Sequence, residues 1–558
     1  MDVSQFPNHR RNGNNPRDSP GTEFSTHFLI CLHSPKFEPM DPQTPITPPV
    51  YAPNLHLFAF HLWRGLTGEP DSLAPKPKHL WEKGDEILQA LGFSERLDIF
   101  GYPNNPTEPP GAQINLHPEK QLKLAGKLPN SDLTITGLLF AHRLYDSYSL
   151  TINLRRPKKE EGKKTATVPI SFWQNLNTDR LIFLPHVIES SLGQTLLLTA
   201  FLPEFKSEQS GESLEDVKES FARNCVKQLV PSHRNRPPLC QKGELFGSPI
   251  FEFGGQILDA NLDDEPEVQP HILIFLFRPE LLSSGKFENA YRQFIDLFYY
   301  RNKVISAYRE TRILYRKTYK VYTDLEKKVK SFKQELTQNT TRLSLNQAQL
   351  EDLKTVLKEL AALDLEYGRL LRNYKHCRNT ISINTKNYQL TLQVIFNTLQ
   401  ERNYHLEPEE LDFLRVFSDH NSDYFQTRIG DELNYFVEGS NLANKAIASI
   451  RGIVEIEQTQ RDRTLQEQNE KLENKIAIVG VGIGVGAIVA STSTLIFQPE
   501  PMTFPWQEQH GNRPHSFILA FLLSFAIAVV ASLVTSGLIK CSQTMRSDKS
   551  QEVKGNKQ

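Results

Sequence analysis

The chain has 558 residues, more than a single domain usually contains. Its 64 basic and 65 acidic residues leave a formal net charge of −1, which gives no bulk attraction to nucleic acid or anionic lipid. The five cysteines are scattered and include no C-x-x-C pair, so the sequence argues against a disulfide framework and favours a reducing compartment.

Residues 1–50 are predicted to be a disordered, proline-rich N-terminal segment. They contain nine prolines and show little hydrophobic periodicity. The first 20 residues lack the apolar core of a signal peptide. Met40 stands directly before the first strand-like run, so the sequence leaves open whether Met1 or Met40 is the true start.

Residues 51–282 are predicted to form a mixed cytoplasmic head of the α+β or α/β class. Runs rich in β-branched and aromatic residues predict strands at 55–63, 133–144, 148–154, 194–202, 248–253 and 271–277. Helical patterns predict helices at 79–91 and 214–230. His56 and His61 are an odd number of positions apart, so we expect them on opposite faces of the first strand.

Long helices are predicted after the head, because proline almost disappears from the sequence. Of the 35 prolines, 30 lie at or before Pro279, and none lies between Pro279 and Pro408 or in residues 409–498. A proline inside a helix costs about 3 kcal/mol, so its absence over such lengths favours helix.

Residues 283–405 are predicted to form a long helix with a coiled coil. Apolar residues recur at alternating steps of four and three from Leu325 to Leu360, as in a coiled-coil seam. Asn339 and Asn346 both occupy d positions, where a buried polar residue can fix register or strand number; loose packing is the alternative interpretation. The sequence leaves open whether the partner helix belongs to this chain or to another.

Residues 406–475 are predicted to form a stalk helix that leads into the membrane. Pro408 followed by two acidic residues is a helix-start signal. No proline separates this helix from the apolar run that follows it. We therefore expect movement of the head to be transmitted mechanically along the stalk.

Glycine stands at every second position from Gly480 to Gly486, in the sequence KIAIVGVGIGVGAIVAS. A phosphate-binding loop would need a preceding strand and a third glycine at fingerprint spacing, where Ala487 stands instead. The 22 residues 476–497 and the 23 residues 517–539 carry no charge and are long enough to cross a bilayer. They predict two transmembrane helices.

The flanks of these two spans predict their orientation. Lysine and arginine are frequent in residues 461–475 and in the tail at 540–558, whereas the loop at 498–516 holds a single arginine. By the positive-inside rule both termini are cytoplasmic and the loop is outside. The sequence thus predicts a two-span, multi-pass membrane protein, with the lipid bilayer as a partner and nucleic acid not among its partners.

The glycines of the first span offer two packing faces. Residues two apart in a helix lie about 200° apart, so Gly480 and Gly484 share one face and Gly482 and Gly486 share the nearly opposite one. Each pair is a G-x-x-x-G, which lets helices approach closely in lipid. Two faces favour a neighbour on each side, as in a ring of subunits; a single hairpin with the second span is the alternative.

Hydroxyl side chains end the first span, at Ser491, Thr492, Ser493 and Thr494. They are candidates for lining a pore, and the alternative is that they bond to carbonyls of their own helix. Neither span holds an ionisable residue, which argues against a proton relay.

The sequence carries no recognisable catalytic motif. It has no H-E-x-x-H, no G-x-S-x-G and no Walker A loop, and its Cys and His residues do not have zinc-finger spacing. We therefore expect no enzymatic activity, no cofactor and no metal site.

The order of head, stalk helices, first span, short outer loop, second span and basic tail resembles the CorA family of divalent-cation channels. The resemblance implies a homopentamer with a cytoplasmic α/β head and a pore lined by the first span. The family's Gly-Met-Asn signature is absent, since the corresponding stretch here reads STLIFQPEPMTFPW. None of the selectivity residues of that motif is therefore carried over.

These features together predict a homo-oligomeric, CorA-like ion channel or pore controlled by its cytoplasmic head. The sequence does not name the ion, or the ligand or protein partner of the head. The alternative is a membrane-anchored scaffold or sensor, whose coiled coil and head bind a partner without transport.

Overall fold

The computed structural model of the chain describes residues 48–62, 78–97, 99, 114–129, 131–177, 181–201, 213–232, 236–255, 257–258, 267–278, 283–339, 346–496 and 516–555. The predicted disordered N-terminal segment, apart from its last three residues, and the predicted outer loop, apart from its last residue, lie outside this part of the chain. The chain forms two compact units. The first contains Met1–Tyr322 and Glu366–Glu438, and the second contains Thr323–Leu365 and Gly439–Gln558.

A mixed β-sheet forms the centre of the first unit. Its strands are β1 (Tyr51–Leu62), β2 (Ile114–Asn115), β3 (Leu122–Lys127), β4 (Thr134–Leu144), β5 (Ser147–Arg155), β8 (Gly193–Phe201), β9 (Leu239–Leu245), β10 (Ser248–Phe253) and β13 (His271–Phe277). Two further pairs are β6 (Lys159–Glu160) with β7 (Lys163–Lys164), and β11 (Ile257–Leu258) with β12 (Glu267–Val268).

The sheet order is β2-β4-β5-β1-β8-β13-β10-β9, and β3 also pairs with β4. All neighbours are antiparallel except β8 and β13, which run parallel with Thr195 opposite His271. All six strands predicted from the sequence are confirmed, and so are the two predicted helices. The sequence reading missed β3 and β9, whose lysines and glycines hide the strand pattern.

Helices cover one face of this sheet. They are α1 (His79–Ala90), α2 (Ser171–Asn177), α3 (Pro185–Ile188) and α4 (Leu214–Leu229). Leu55, Leu57 and Ala59 of β1 share a buried core with Trp173 of α2 and Val226 of α4. The alternate residues of β1 therefore belong to the other face.

The other face packs against α5 (Ser283–Asn289) and α6 (Tyr291–Asn339). The ring centroid of Phe58 lies 4.9 Å from that of Phe298, and Nδ1 of His56 lies 3.2 Å from the hydroxyl of Tyr291. His61, in contrast, lies beside His79 of α1, with 5.9 Å between ring centroids. The two histidines thus occupy opposite faces, as predicted, and the head is a mixed α/β domain.

The predicted helix at 283–405 is divided into three. After α5 and α6 comes α7 (Gln347–Glu401). In the first unit Arg312 of α6 donates to the hydroxyl of Tyr374 in α7 (3.0 Å). In the second unit Lys328 and Glu359 form an ion pair of 2.6 Å. The residue later in α6, Lys328, pairs with the residue earlier in α7, Glu359, so α6 and α7 run antiparallel.

Asn346, which the sequence places at a d position of the seam, stands directly before α7 and caps that helix. Its side-chain oxygen accepts from the N–H of Gln349 (2.8 Å), and its own N–H donates to the side chain of Gln349 (2.9 Å). Asparagine competes with helix continuation by bonding to nearby backbone, which makes it a good start signal. Asn339 is the last residue of α6, and its side chain lies outside the described residues.

The stalk begins as predicted at Pro408 and continues into the first apolar run. A 3₁₀ turn (Pro408–Leu411) is followed by α8 (Asp412–Val416), a π-helical turn (Phe417–Asn421) and α9 (Ser422–Ile496). Glu407 and Glu410 form a reciprocal capping box at its start. The last helix is α10 (Ser516–Gly555), which contains the second apolar run and extends into the predicted tail.

Candidate functional site: the apolar helix pair and the root of the stalk

Two helical segments are long and apolar enough to cross a membrane by length and composition. They are Pro408–Thr492, which ends in the glycine-containing run, and Ile518–Cys541. Large apolar side chains on both helices are more than half exposed, including Ile483 and Ile488 on α9 and Phe525 and Leu533 on α10. Such a large exposed apolar surface marks a site for lipid or protein contact.

One glycine face of α9 packs directly on α10. A Cβ added to Gly482 would lie 2.2 Å from the hydroxyl oxygen of Ser532, and one added to Gly486 would lie 3.0 Å from the Cβ of Ala528. Real Cβ contacts are essentially never as short as the first distance. The absence of a side chain at Gly482 is therefore what permits this helix contact.

The opposite glycine face is open. A Cβ added to Gly480 or Gly484 would meet nothing within 4 Å among the described residues. Both residues lie on the α9 segment whose large neighbours are exposed. The structure thus distinguishes the two glycine pairs that the sequence presented as equivalent: one is used within the chain and the other is not.

The hydroxyls at the end of the first apolar run bond to their own helix. The Ser491 and Thr492 hydroxyls donate to the carbonyl of Ile488 at 2.9 Å and 2.8 Å. Ser524 of α10 does the same with Ala520 (2.8 Å). The side chains of Ser493 and Thr494 lie outside the described residues. For Ser491 and Thr492, the alternative interpretation of the sequence is therefore the one observed.

The first unit holds a buried charged cluster near the start of α9, which we call the Glu432 cluster. The Arg312 guanidinium donates to both carboxylate oxygens of Glu432, at 2.7 Å and 2.5 Å. Arg428 donates from Nε at 3.2 Å, and the Tyr374 hydroxyl donates as well. The Arg312 side chain is only 3% exposed and also lies over the ring of Tyr308, with 4.9 Å from Cζ to the centroid.

Electrostatics hold this cluster in its charged form. Burial raises the pKa of Glu432, but the hydrogen bonds and the charge of Arg312 outweigh it and leave the pKa below its ordinary value. Burial raises the pKa of the Tyr374 phenol, which therefore stays protonated and can donate. The cluster joins α6, α7 and α9 through one carboxylate.

A second buried ion pair lies beside the π-helical turn. Arg301 of α6 donates from Nη2 to Glu252 of β10 at 2.7 Å, and His271 Nε2 lies 3.1 Å from the same oxygen. The guanidinium also lies over the ring of Phe417, with 5.0 Å from Cζ to the centroid. Burial raises the pKa of Glu252, but Arg301 and His271 bring it down to about 2. π-helical turns are frequent at functional sites.

Neither cluster was found from the sequence. Arg301, Arg312 and Glu432 stand in helices rich in charged residues, where most such residues are solvated. Their one signal is position: Glu432 precedes the buried Leu433 of the α9 stripe, and Arg312 lies between the buried Thr311 and Leu314. Among the described residues, no group of three or more His, Cys, Asp or Glu side chains could hold a metal ion.

Comparisons of the chain with protein-family models, curated proteins and solved structures found no significant match. Function is therefore inferred from the chain's own residues and contacts.

Proposed function

We propose that the protein is a membrane channel or pore built from several copies of this chain, CorA-like in the order of its parts and controlled by its cytoplasmic head. The observation that carries the proposal is the difference between the two glycine faces of α9. Gly482 and Gly486 are occupied by α10, whereas Gly480 and Gly484 are open among the described residues. The open pair is the face for a second copy.

Membrane insertion accounts for the exposed surface of both apolar helices. Neither apolar run contains an ionisable residue, and in a helix the backbone polar groups are hydrogen-bonded within the segment. Both conditions are needed in the hydrocarbon of a bilayer. The positive-inside rule applied to the basic flanks supports cytoplasmic termini. A single pair of spans cannot enclose a pore, so conduction needs several copies.

Exposed apolar residues that precede the glycines on α9 support contact between copies of this helix. Leu465, Leu472 and Val479 follow one another at steps of seven, and all three are 57–58% exposed. Apolar residues at this spacing form a helix–helix seam. Leu465 and Leu472 stand in a polar stretch of α9, and Val479 stands at the start of its apolar run.

The continuity of α9 supports control by the head. The helix carries Glu432 near one end and the glycine faces near the other, without a break. A change in the Glu432 cluster would shift or rotate α9, and the shift would reach the glycine-containing run. Helix shifts of this type are common in switching proteins.

The test is the mass of the detergent-solubilised protein, corrected for bound detergent, by light scattering after size exclusion. We expect a discrete oligomer of about four to six chains, since fewer cannot surround a pore. Replacing both Gly480 and Gly484 with leucine should dissociate it. The matched control is Gly452→Leu, the same substitution on α9 outside the apolar run, where an added Cβ also meets nothing within 4 Å.

A monomeric or dimeric wild-type protein would refute the channel and leave the scaffold or sensor as the function. The hydroxyls of Ser491 and Thr492 favour that alternative, because they are used on their own helix. If the oligomer is found, cation flux into proteoliposomes should be present in the wild type and the Gly452→Leu control. It should be lost in the double glycine variant.

A further inference from the structure

A cavity of about 600 Å³ opens in the first unit. It lies at the amino-terminal ends of the parallel strands β8 and β13, between the α3–β8 loop, the turn at Gly255 and one face of α6. This volume is typical of sites that bind small molecules. Nothing in the proposed channel function requires a cavity at this place.

Arg301 gives the cavity wall its charge. It is 5% exposed, and of its guanidinium donors only Nη2 has a partner among the described residues, the carboxylate of Glu252. The turn at Gly255 is built around this side chain, because a Cβ there would lie 2.7 Å from Nη2. Arg309 lines the same cavity, and the one carboxylate in its lining is Glu189. The guanidinium donors of Arg301 that Glu252 does not accept from, together with the guanidinium of Arg309, are groups that bind an oxyanion.

The rest of the wall offers hydrogen-bond acceptors. The side-chain oxygens of Ser190, Gln194 and Gln269 are buried and have no hydrogen-bond partner within the described chain. Buried polar atoms in native proteins are nearly always paired with protein, ordered water or a ligand, so these three oxygens are groups that an occupant of the cavity would bond. Amide oxygens accept hydrogen bonds, and the hydroxyl groups of a ligand would donate them.

We propose that this cavity binds a small hydroxylated anion, whose phosphate or carboxylate group is held by Arg301 and Arg309. The forked guanidinium group matches either oxyanion in a bidentate manner. The hydroxyl groups of the ligand face the amide oxygens of Gln194 and Gln269. The hydrogen-bonded chain Asn302–Thr195–His271, with links of 3.0 Å and 2.9 Å, fixes the floor of the cavity.

The ligand would also act on the root of the stalk, and this consequence rests on the proposed channel function. Arg301 contacts the ring of Phe417, in the π-helical turn that precedes α9. An anion that draws Arg301 into the cavity weakens this contact and the ion pair with Glu252. Binding itself needs neither an oligomer nor ion flux.

The test is calorimetric titration of the full-length, detergent-purified protein with three probes: glucose 6-phosphate, citrate and inorganic phosphate. We expect one site per chain for glucose 6-phosphate or for citrate. Arg309→Gln should weaken binding at least tenfold, and Ser306→Phe should abolish it by filling the cavity, which Ser306 lines. The matched control is Arg316→Gln, on the same helix outside the cavity lining, and it should bind as the wild type does.

Binding of glucose 6-phosphate, with weaker binding of inorganic phosphate, would identify a phosphate ligand; binding of citrate alone would identify a carboxylate. The site is refuted if none of the probes binds, or if Ser306→Phe binds as well as the wild type. Unfolding of each variant without ligand, followed by circular dichroism, shows whether a loss of binding is a loss of fold. A protein that binds a probe but forms no oligomer would refute the channel and leave this site standing.

Discussion

Removing either partner of the Arg312–Glu432 pair should destabilise the root of α9, and the two removals should differ in size. In Arg312→Met, Glu432 keeps two donors, Arg428 and the Tyr374 hydroxyl. In Glu432→Leu, the partners left to Arg312 among the described residues are the Tyr374 hydroxyl and the rings of Tyr308 and Tyr315. The side chain of Arg312 is 3% exposed, so water cannot replace the lost carboxylate.

The magnitudes follow from these remaining partners. Removing one partner of a buried ion pair costs about 3–5 kcal/mol. A hydrogen bond to a charged group contributes about 1.5–3 kcal/mol, so the donors that remain on Glu432 offset part of the loss. We expect about 2–3 kcal/mol for Arg312→Met and about 4–5 kcal/mol for Glu432→Leu. The double variant should lie within about 2 kcal/mol of the wild type, because it leaves neither charge buried alone.

Native-state amide hydrogen exchange over residues 425–438 measures the free energy of local opening without assuming that the whole chain unfolds in one step. The matched control is Arg369→Met, which breaks the Arg369–Glu366 pair of α7, whose side chains are 45% and 43% exposed. That loss should stay below about 1 kcal/mol. Equal losses for the two single variants, or a double variant as unstable as Glu432→Leu, would refute the assigned partners.

Three further substitutions test other contacts. Gly482→Ala should lower the thermal unfolding midpoint of the detergent-purified protein, because its Cβ meets an α10 hydroxyl, whereas Gly480→Ala should not. Burial, aided by a neighbouring arginine, lowers the pKa of His56 to about 3. The contribution of the neutral His56 side chain to the free energy of unfolding is therefore complete above about pH 6.5 and is lost as the pH falls towards 3. In His56→Gln, the free energy of unfolding measured in urea should therefore fall less between pH 6.5 and 4 than in the wild type. Substitution of the exposed His186 by glutamine should leave this fall unchanged. Gly254→Ala should lower the unfolding midpoint of the head by several degrees, since φ is +64° and a Cβ would lie 2.1 Å from a facing carbonyl oxygen.

The sequence predicted those parts of the fold that depend on local pattern. Alternating apolar runs located the central strands, without error at β13 and with a start four residues late at β1, because one register buries each strand correctly. The proline-free stretches predicted the long helices for an equally local reason. Strand order cannot be read in this way, since the parallel pairing of β8 with β13 depends on contacts between distant segments.

The sequence could not predict where polar residues are buried. Asn346 fitted the seam spacing, but its bonds to Gln349 make it the cap at the start of α7. Arg301 looks the same in sequence as an exposed arginine, and only the approach of β10 brings Glu252 to it. The cavity was also beyond prediction, because its wall comes from segments more than 100 residues apart.

The buried charges on α6, α7 and α9 are better explained by positional specificity than by stability. A well-packed apolar group would stabilise the same site at least as well, because desolvation offsets most of the attraction within a buried ion pair. A bidentate pair such as Arg312–Glu432, however, has one correct register. A rotation or a one-turn shift of α9 would break its hydrogen bonds together. Such a pair would give α9 discrete positions, which the proposed control of a pore by the head would require.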